Sequence, residues 1–435
     1  MKYVRNLIPL GTLGLAMYFL FADGVAFGAT AAPSPPNPSG GAGKLVPVAG
    51  KKIWDLARTG DPRISRLELT DLIRFKDYWY CGFHEGKIHH NHPYGRARII
   101  RSPDGENWES VALLTWDGGD VREPRFAITA EGNLMVYTCV GFLFRARRLV
   151  SATGDWLGPE RAWSLGKSES LLDDPPVSVG AKEPSAQGKD AQRPRVRQSA
   201  AELPQLPSLT ELESTVVRQS VTWLSSDGVN WGQAYACPTG VNTWRWDVTW
   251  HNGMGYSIGY SGSDLAGTLY RTRDGKSWRP LLGKFFPQGL GNEASLAFDD
   301  DDTAYCILRD APGSQMFGVG KAPFYQEWTW KDTRIDWEGN GELRPAREFL
   351  RPLGGPSLLR LRDGRFVLAG RAGGISLFWV DPKNAILTRF ASVAGSTYAG
   401  IAEHEGSIWV TCGEGAAATI YLAKVPIPAP AGPRG

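Results

Sequence analysis

Six times along the chain an apolar stretch, a short polar turn and a second apolar stretch follow one another. These units open at Leu69 (LTDLIRFKDYWYCGFHE), Pro124 (PRFAITAEGNLMVYTCV), Trp246 (WDVTWHNGMGYSIGY), Glu293 (EASLAFDDDDTAYCILRD), Gly355 (GPSLLRLRDGRFVLAGR) and Thr397 (TYAGIAEHEGSIWVTCGE). Each reads as a β-hairpin, two strand-length apolar runs joined by a turn such as EGN, HNG, RDG or HEG. A hairpin repeated this way predicts a ring of four-stranded antiparallel blades. The last repeat stops one strand early, after ATIYLAKV, and KKIWDLART, Lys51 to Thr59, is placed to supply the missing strand. Closing the ring with a strand from the other end of the chain removes exposed sheet edges. The expectation is an all-β, six-bladed β-propeller of four-stranded antiparallel blades over residues 51–425.

Three copies of one short phrase recur between later strands: SPDGENW (Ser102 to Trp108), SSDGVNW (Ser225 to Trp231) and TRDGKSW (Thr272 to Trp278). An Asp at this spacing accepts hydrogen bonds from the amides of its own turn, the Gly allows a positive φ, and the Trp anchors the returning strand in a hydrophobic layer. The phrase resembles the Asp-box of the sialidase (neuraminidase) superfamily, with one residue fewer between Asp and Gly than the usual pattern. That resemblance implies a sialidase-like propeller.

Composition agrees, since 435 residues with 52 glycines and 17 tryptophans suit an all-β domain with many turns. A formal charge of +3 leaves no electrostatic footprint for nucleic acid. Lys2 and Arg5 precede an apolar run from Leu7 to Ala22, and Ala29-Thr30-Ala31 has the small-x-small pattern of a cleavage site. Residues 1–31 therefore read as a signal peptide and the protein as exported, periplasmic or secreted. The run is short for a span of about 20 residues, so no stable membrane span is expected after cleavage, and an uncleaved anchor is the lesser reading. Residues 32–50 read as a flexible linker and 426–435 as a Pro/Gly-rich tail. Residues 166–214, rich in Pro, Ser, Lys, Arg and Asp, read as a disordered insertion in the second blade. Cys81, Cys139, Cys306 and Cys412 hold nearly equivalent places in four second strands, too far apart for a disulfide. They read as buried thiols, with Cys237 alone in a loop.

In a propeller the first strands line the central channel, so their starts and the ends of the second strands converge at one mouth. Here the starts carry Asp71, Arg122 with Glu123, Arg245 with Asp247, Glu293 and Tyr398; the ends carry His84 with Glu85, Arg309, Arg371 and Glu414. Arginines interleaved with carboxylates suit an anionic or polyhydroxylated ligand. Pairing among themselves, to pin neighbouring blades, is the alternative. The loop FHEGKIHHNHPYG concentrates His84, His89, His90 and His92. Histidine can do general acid work near neutral pH, but the spacing is not that of a metal site, and no metal or cofactor is expected.

The resemblance to the sialidases extends to single residues. GSTYAGIAEHEGSIWV is similar to the family segment bearing the tyrosine nucleophile, which implies that role for Tyr398. GNEASLAFDDDDTAYCILRD is similar to the segment bearing the glutamate that activates it and the second carboxylate-binding arginine, which implies Glu293 and Arg309. Arg371 stands for the third arginine. Arg122, Arg245, Asp247 and His89 are the remaining substrate-binding candidates. The chain departs from the family at Leu67 to Asp71, where an Arg-Ile-Pro motif would stand, and in the histidine-rich loop, which has no Asp for the acid/base role. Asp71 or Glu85 is then the substitute. Read from its own segment alone, Tyr398 is equally a core tyrosine. Three functions follow: an exported, sialidase-like glycoside hydrolase acting on a terminal, acidic sugar of a glycan; a carbohydrate-binding propeller without catalysis; and a structural propeller. The departures favour an acidic glycan other than an ordinary sialoside.

Overall fold

A computed structural model describes residues 47–429 apart from 88–94, 117–118, 142–165, 171–217, 261–265, 288, 290, 310–314, 350–352 and 416, with backbone alone for 166–170. The six hairpins open six β-sheets arranged as a six-bladed propeller. Blade 1 runs through Arg66–Phe75, Tyr78–Gly86, Arg96–Ser102 and Glu109–Trp116; blade 2 through Asp120–Ile128, Leu134–Gly141 and Arg218–Ser225. Blade 3 comprises Trp244–His251, Met254–Tyr260, Thr268–Thr272 and Arg279–Gly283; blade 4 comprises Ala294–Phe298, Ala304–Arg309, Gln315–Gly320 and Trp328–Asp332. Blade 5 is Gly354–Arg360, Phe366–Arg371, Ile375–Asp381 and Ile386–Val393, and blade 6 is Gly400–His404, Ser407–Glu414 and Thr419–Pro426.

The strand expected to close the ring does so: Lys51–Asp55 pairs antiparallel with Thr419–Pro426. Three blades depart from four strands. In blade 2 the outermost strand is reduced to isolated bridges, Thr222 to Tyr235 and Gln219 to Val241. Blade 5 gains an edge pair, Arg334–Asp336 and Leu343–Pro345, the former parallel to Ile386–Val393. Blade 1 gains Gly166–Ser170 on its outer edge. That strand opens the segment read as a disordered insertion; residues 171–214, like the expected signal peptide and most of the linker, lie outside the described residues.

The core is divided among the blade interfaces, because each sheet buries both faces against its neighbours. One cluster, with Phe75, Tyr80, Val136 and Trp223, joins blades 1 and 2. Another, with Trp54, Leu72, Trp79, Trp409 and Ile420, joins blades 6 and 1. Equivalent clusters fill the other four interfaces, and a small one, Leu69, Trp246 and Tyr398, lies where first strands meet. Cys81, Cys139, Cys306 and Cys412 are buried in these layers as free thiols.

The three repeated turns share the same bonds to the Asp and to the leading hydroxyl, and the first and third add one from the Trp indole. In the first, Asp104 Oδ1 accepts from the amides of Glu106 (2.7 Å) and Asn107 (2.9 Å), the Ser102 hydroxyl accepts from the amide of Gly105 (2.8 Å), and Trp108 Nε1 donates to Gly105 O (3.1 Å). Asp227 and Asp274 accept the equivalent pairs of amides. Each glycine is left-handed and faces the second strand of the preceding blade: Gly105 meets Trp409, Gly228 meets Tyr80 and Gly275 meets Met135. A Cβ at any of them would collide with that neighbour. The phrase is thus a wedge between blades.

Candidate active site

Four first strands carry the same irregularity near the mouth. Pairing with the second strand slips between Glu68 and Asp71, Arg122 and Arg125, Arg245 and Val248, and Gly354 and Ser357. Two residues bulge out each time, and a bulge re-aims the side chains it carries. The first bulged residues are Leu69, Glu123, Trp246 and Gly355; three of them are left-handed, with φ of 61°, 52° and 59° at Leu69, Glu123 and Gly355.

These bulges surround Tyr398, which stands just ahead of the first strand of blade 6. Its hydroxyl donates to Glu293 Oε1 at 2.6 Å. Glu293 and Arg309 are opposed across the start of blade 4, the Arg309 amide donating to the Glu293 carbonyl (2.9 Å) and Arg309 Nη1 to Glu293 Oε2 (2.9 Å). The same Nη1 lies 3.4 Å from the Tyr398 hydroxyl. Gly355 completes the set from blade 5, its amide donating to Glu293 Oε2 at 2.8 Å. The Arg371 guanidinium lies 4.9 Å from the centre of the Tyr398 ring, and Trp246 meets that ring edge-on at 5.4 Å.

Tyr398 and Glu293 are 8% and 6% exposed, whereas Arg309 and Arg371 are half-buried. Burial works to raise the Glu293 pKa, but Arg309 and the hydrogen bonds from Tyr398 and Gly355 outweigh it and hold the carboxyl below its usual value. Burial, with the Glu293 charge, pushes the Tyr398 phenol well above 10. Glu293 is therefore an ionised acceptor for the proton of a neutral phenol. Such a pair can act as base and nucleophile, the phenol losing its proton as it attacks. The two half-buried guanidinium groups beside it are donors of the kind that bind a carboxylate.

Of the remaining sequence candidates among the described residues, none is seated on this pair. Asp71 accepts from the Phe126 amide (2.7 Å) and faces Arg125 Nη1 (3.8 Å), so it ties blade 1 to blade 2. Glu85 is fully buried between Arg98 and Arg96, the latter at 2.7 Å, in an ion pair within blade 1. Asp247 accepts from Ser295 Oγ (2.5 Å), which in turn accepts from the Leu358 amide (2.9 Å), linking blades 3, 4 and 5. Arg245 is buried between blades 2 and 3, bonded to Tyr137 Oη, Thr239 and Cys237 Sγ and packed on Trp278. Arg122 is buried beside Glu123 (3.5 Å) and under the Trp244 ring. His89 lies outside the described residues. His84 bonds Asp120 at 2.7 Å, with Glu68 at 3.8 Å. Among the described residues no group of three or more His, Cys, Asp or Glu side chains could hold a metal ion, and no helix is long and apolar enough to cross a membrane.

Sequence reasoning placed Glu123 among the mouth charges without singling it out, and left Trp246 and Gly355 without a role. Their signal, a bulge in an otherwise regular strand, is nearly silent in the sequence.

No protein-family model matches the chain, and no curated protein sequence matches it. Solved structures do. The fold is similar to a protein of unknown function from Dyadobacter fermentans DSM 18053, with TM-score 0.55 and 13% identity over 87% of this chain and 99% of that one. It is similar to a mutant form of the NanB sialidase from Streptococcus pneumoniae, with TM-score 0.54 and 11% identity over 87% of this chain and 70% of that one. It is also similar to the intramolecular trans-sialidase from Ruminococcus gnavus in complex with oseltamivir carboxylate, with TM-score 0.51 and 11% identity over 86% of this chain and 98% of that one. At these identities the likeness is one of architecture, and the chain has the six-bladed β-propeller fold of the sialidases.

Proposed function

We propose that the protein is an exported, sialidase-like glycoside hydrolase that cleaves a terminal, acidic sugar from a glycan. The observation that carries this reading is the 2.6 Å hydrogen bond from the Tyr398 hydroxyl to an ionised Glu293 carboxylate, with Arg309 and Arg371 alongside. A neutral phenol approaches a sugar carboxylate held by these arginines without like-charge repulsion, and Glu293 takes its proton as it attacks the anomeric carbon. Leu69, an apolar residue, packs against Tyr398 from blade 1, which supports an acidic sugar other than an ordinary sialoside. A second reading, a propeller without catalysis, draws on the same bonds: Glu293 accepts donors from blades 4, 5 and 6 and so pins the ring.

Turnover separates the two. The test substrates are 4-nitrophenyl glycosides of 2-ulosonic acids, of uronic acids and of neutral sugars. Hydrolysis of an acidic glycoside, with sialoside cleavage weak, is expected. Tyr398→Phe should lower kcat by about a hundredfold or more while lowering Tm by only a few degrees. Arg309→Ala should weaken substrate binding about ten- to a hundredfold, roughly 1.5 to 3 kcal/mol for a lost charge-assisted donor. No hydrolysis of any glycoside, or neutral sugars handled as well as acidic ones, would overturn the reading.

A further inference from the structure

We propose that Glu123 is the proton donor of this site, protonating the leaving-group oxygen as Tyr398 attacks and then deprotonating the water that releases the sugar. The inference rests on the hydrolase reading above and assigns the one role that reading leaves open.

The four bulges supply the geometry. Leu69, Trp246 and Gly355 occupy the first bulged position in blades 1, 3 and 5, and all three meet the Tyr398–Glu293 pair: Leu69 and Trp246 pack on Tyr398, and Gly355 donates its amide to Glu293 while lying against the tyrosine ring. Glu123 holds the same position in blade 2, in the same left-handed conformation as Leu69 and Gly355. It is thus the fourth member of a ring whose other three converge on the nucleophile. A left-handed φ at a residue other than glycine is strained, and in blade 2 the residue held that way carries a carboxyl.

The carboxyl is also available. It is 6% exposed; its Oε1 faces Arg122 Nη2 at 3.5 Å, and its buried Oε2 has no hydrogen-bond partner among the described residues. A buried polar atom without a partner is costly, and where one persists a function commonly explains it. The other acidic candidates are engaged, Asp71 with the Phe126 amide and Glu85 with two arginines.

The charges around Glu123 suit an acid that starts protonated. Arg122 and Arg125 come from its own strand, His84 from blade 1, Tyr260 from blade 3, Glu293 from blade 4 and Tyr398 from blade 6. Burial, reinforced by the Glu293 charge against the opposing arginines, pushes its carboxyl up to about 7, while Glu293 stays ionised. Two carboxyls with separated pKa values divide the acid and base work between them.

The electron count closes. In the first step the Tyr398 oxygen bonds the anomeric carbon and its proton passes to Glu293. The glycosidic C–O bond breaks toward oxygen, which takes the Glu123 proton and leaves as an alcohol. In the second step water attacks the anomeric carbon, Glu123 takes its proton, and the bond to Tyr398 breaks as Glu293 returns the phenolic proton. Two displacements retain the configuration of the sugar.

The experiment compares the wild-type chain with Glu123→Gln on 4-nitrophenyl and methyl glycosides of one acidic sugar. The methyl glycoside, whose leaving group needs a proton, should lose at least about a hundredfold in kcat/KM; the nitrophenyl glycoside should lose far less. Azide, which needs no base, should then restore turnover and yield a glycosyl azide of retained configuration. The alkaline limb of kcat/KM, near pH 7 in the wild type, should disappear. Should Glu123→Gln fail to fold, Glu123→Asp carries the comparison, with the methyl glycoside slowed more than the nitrophenyl one. An equal loss on both substrates with no effect of azide would overturn the proposal and leave the hydrolase reading standing. A wild-type chain inactive on every aryl glycoside would overturn both.

Discussion

Gly355 shows how closely the candidate site is fitted at the level of single atoms. A Cβ there would overlap the Tyr398 ring and lie 2.9 Å from the tyrosine Cβ, and the residue is left-handed at φ 59°. Its amide meanwhile holds Glu293 at 2.8 Å. Only a residue without a side chain satisfies all three demands. Gly355→Ala is therefore expected to lose about 1 to 3 kcal/mol from overpacking, read as a lower Tm, and to lower turnover by moving Tyr398 off Glu293. A variant that melts and turns over like the wild type would show that the ring can give way there.

At the level of elements, strands are held in place less by their own propensity than by what the next blade presents. The hairpins are apolar runs buried on both faces, and turns such as Asn252-Gly253, with φ of 47° and 72°, supply the paired left-handed conformation that tight two-residue connections need. The closing strand depends on tertiary contacts. In Lys51–Asp55, Ile53 and Trp54 are buried between blades 6 and 1, and the Arg58 guanidinium caps the Trp54 ring at 3.9 Å. Trp54→Ala should cost about 3 to 5 kcal/mol in urea unfolding. On the same strand Lys51→Ala, which removes an exposed ion pair with Glu106, should leave the unfolding midpoint nearly unchanged. Similar losses for the two would mean that the strand does not close the ring.

Across the whole molecule, buried ions along the mouth couple stability to pH. Burial alone would lower the His84 pKa, but Asp120 and Glu68 outweigh it and raise the imidazole from 6.5 to about 9. A raised histidine contributes stability that is complete below its unfolded value and is lost as pH climbs through about 9. Asp71 and Glu123 act in the same direction at lower pH. Burial raises them to about 6 and about 7, so their ionisation is penalised in the folded chain and stability falls as pH rises from the usual carboxylate range through those values. Glu293, Asp104 and Asp227 are held low instead, and they withdraw stability only as acid protonates them. The expected Tm maximum lies near pH 5, with a decline from pH 6.5 to 9 that His84→Gln flattens. A maximum above pH 8, or an unchanged decline in the variant, would contradict this account.

The sequence by itself determined the architecture, because the information for it is local. Six hairpins announce themselves by apolar runs and turn residues within about twenty positions, and a missing last strand with a spare first one implies closure. The phrase repeated at Asp104, Asp227 and Asp274 marks the same turn in three blades. A related scheme at Asp381, which accepts from the amides of Lys383 and Asn384, went unread because it has neither the Gly nor the Trp. The meeting of Tyr398 with Glu293 was legible only through resemblance, since 105 residues separate them. Only the tertiary structure decided which charges face one another. Asp71, Glu85, Asp247 and Arg245 stand at mouth positions in the sequence as plainly as Glu293 and Arg309 do, yet Asp71, Asp247 and Arg245 are taken up by neighbouring blades and Glu85 by arginines of its own blade. That choice is set by strand bulges and by the rotation of one blade against the next, and both arise from packing between segments far apart in the chain.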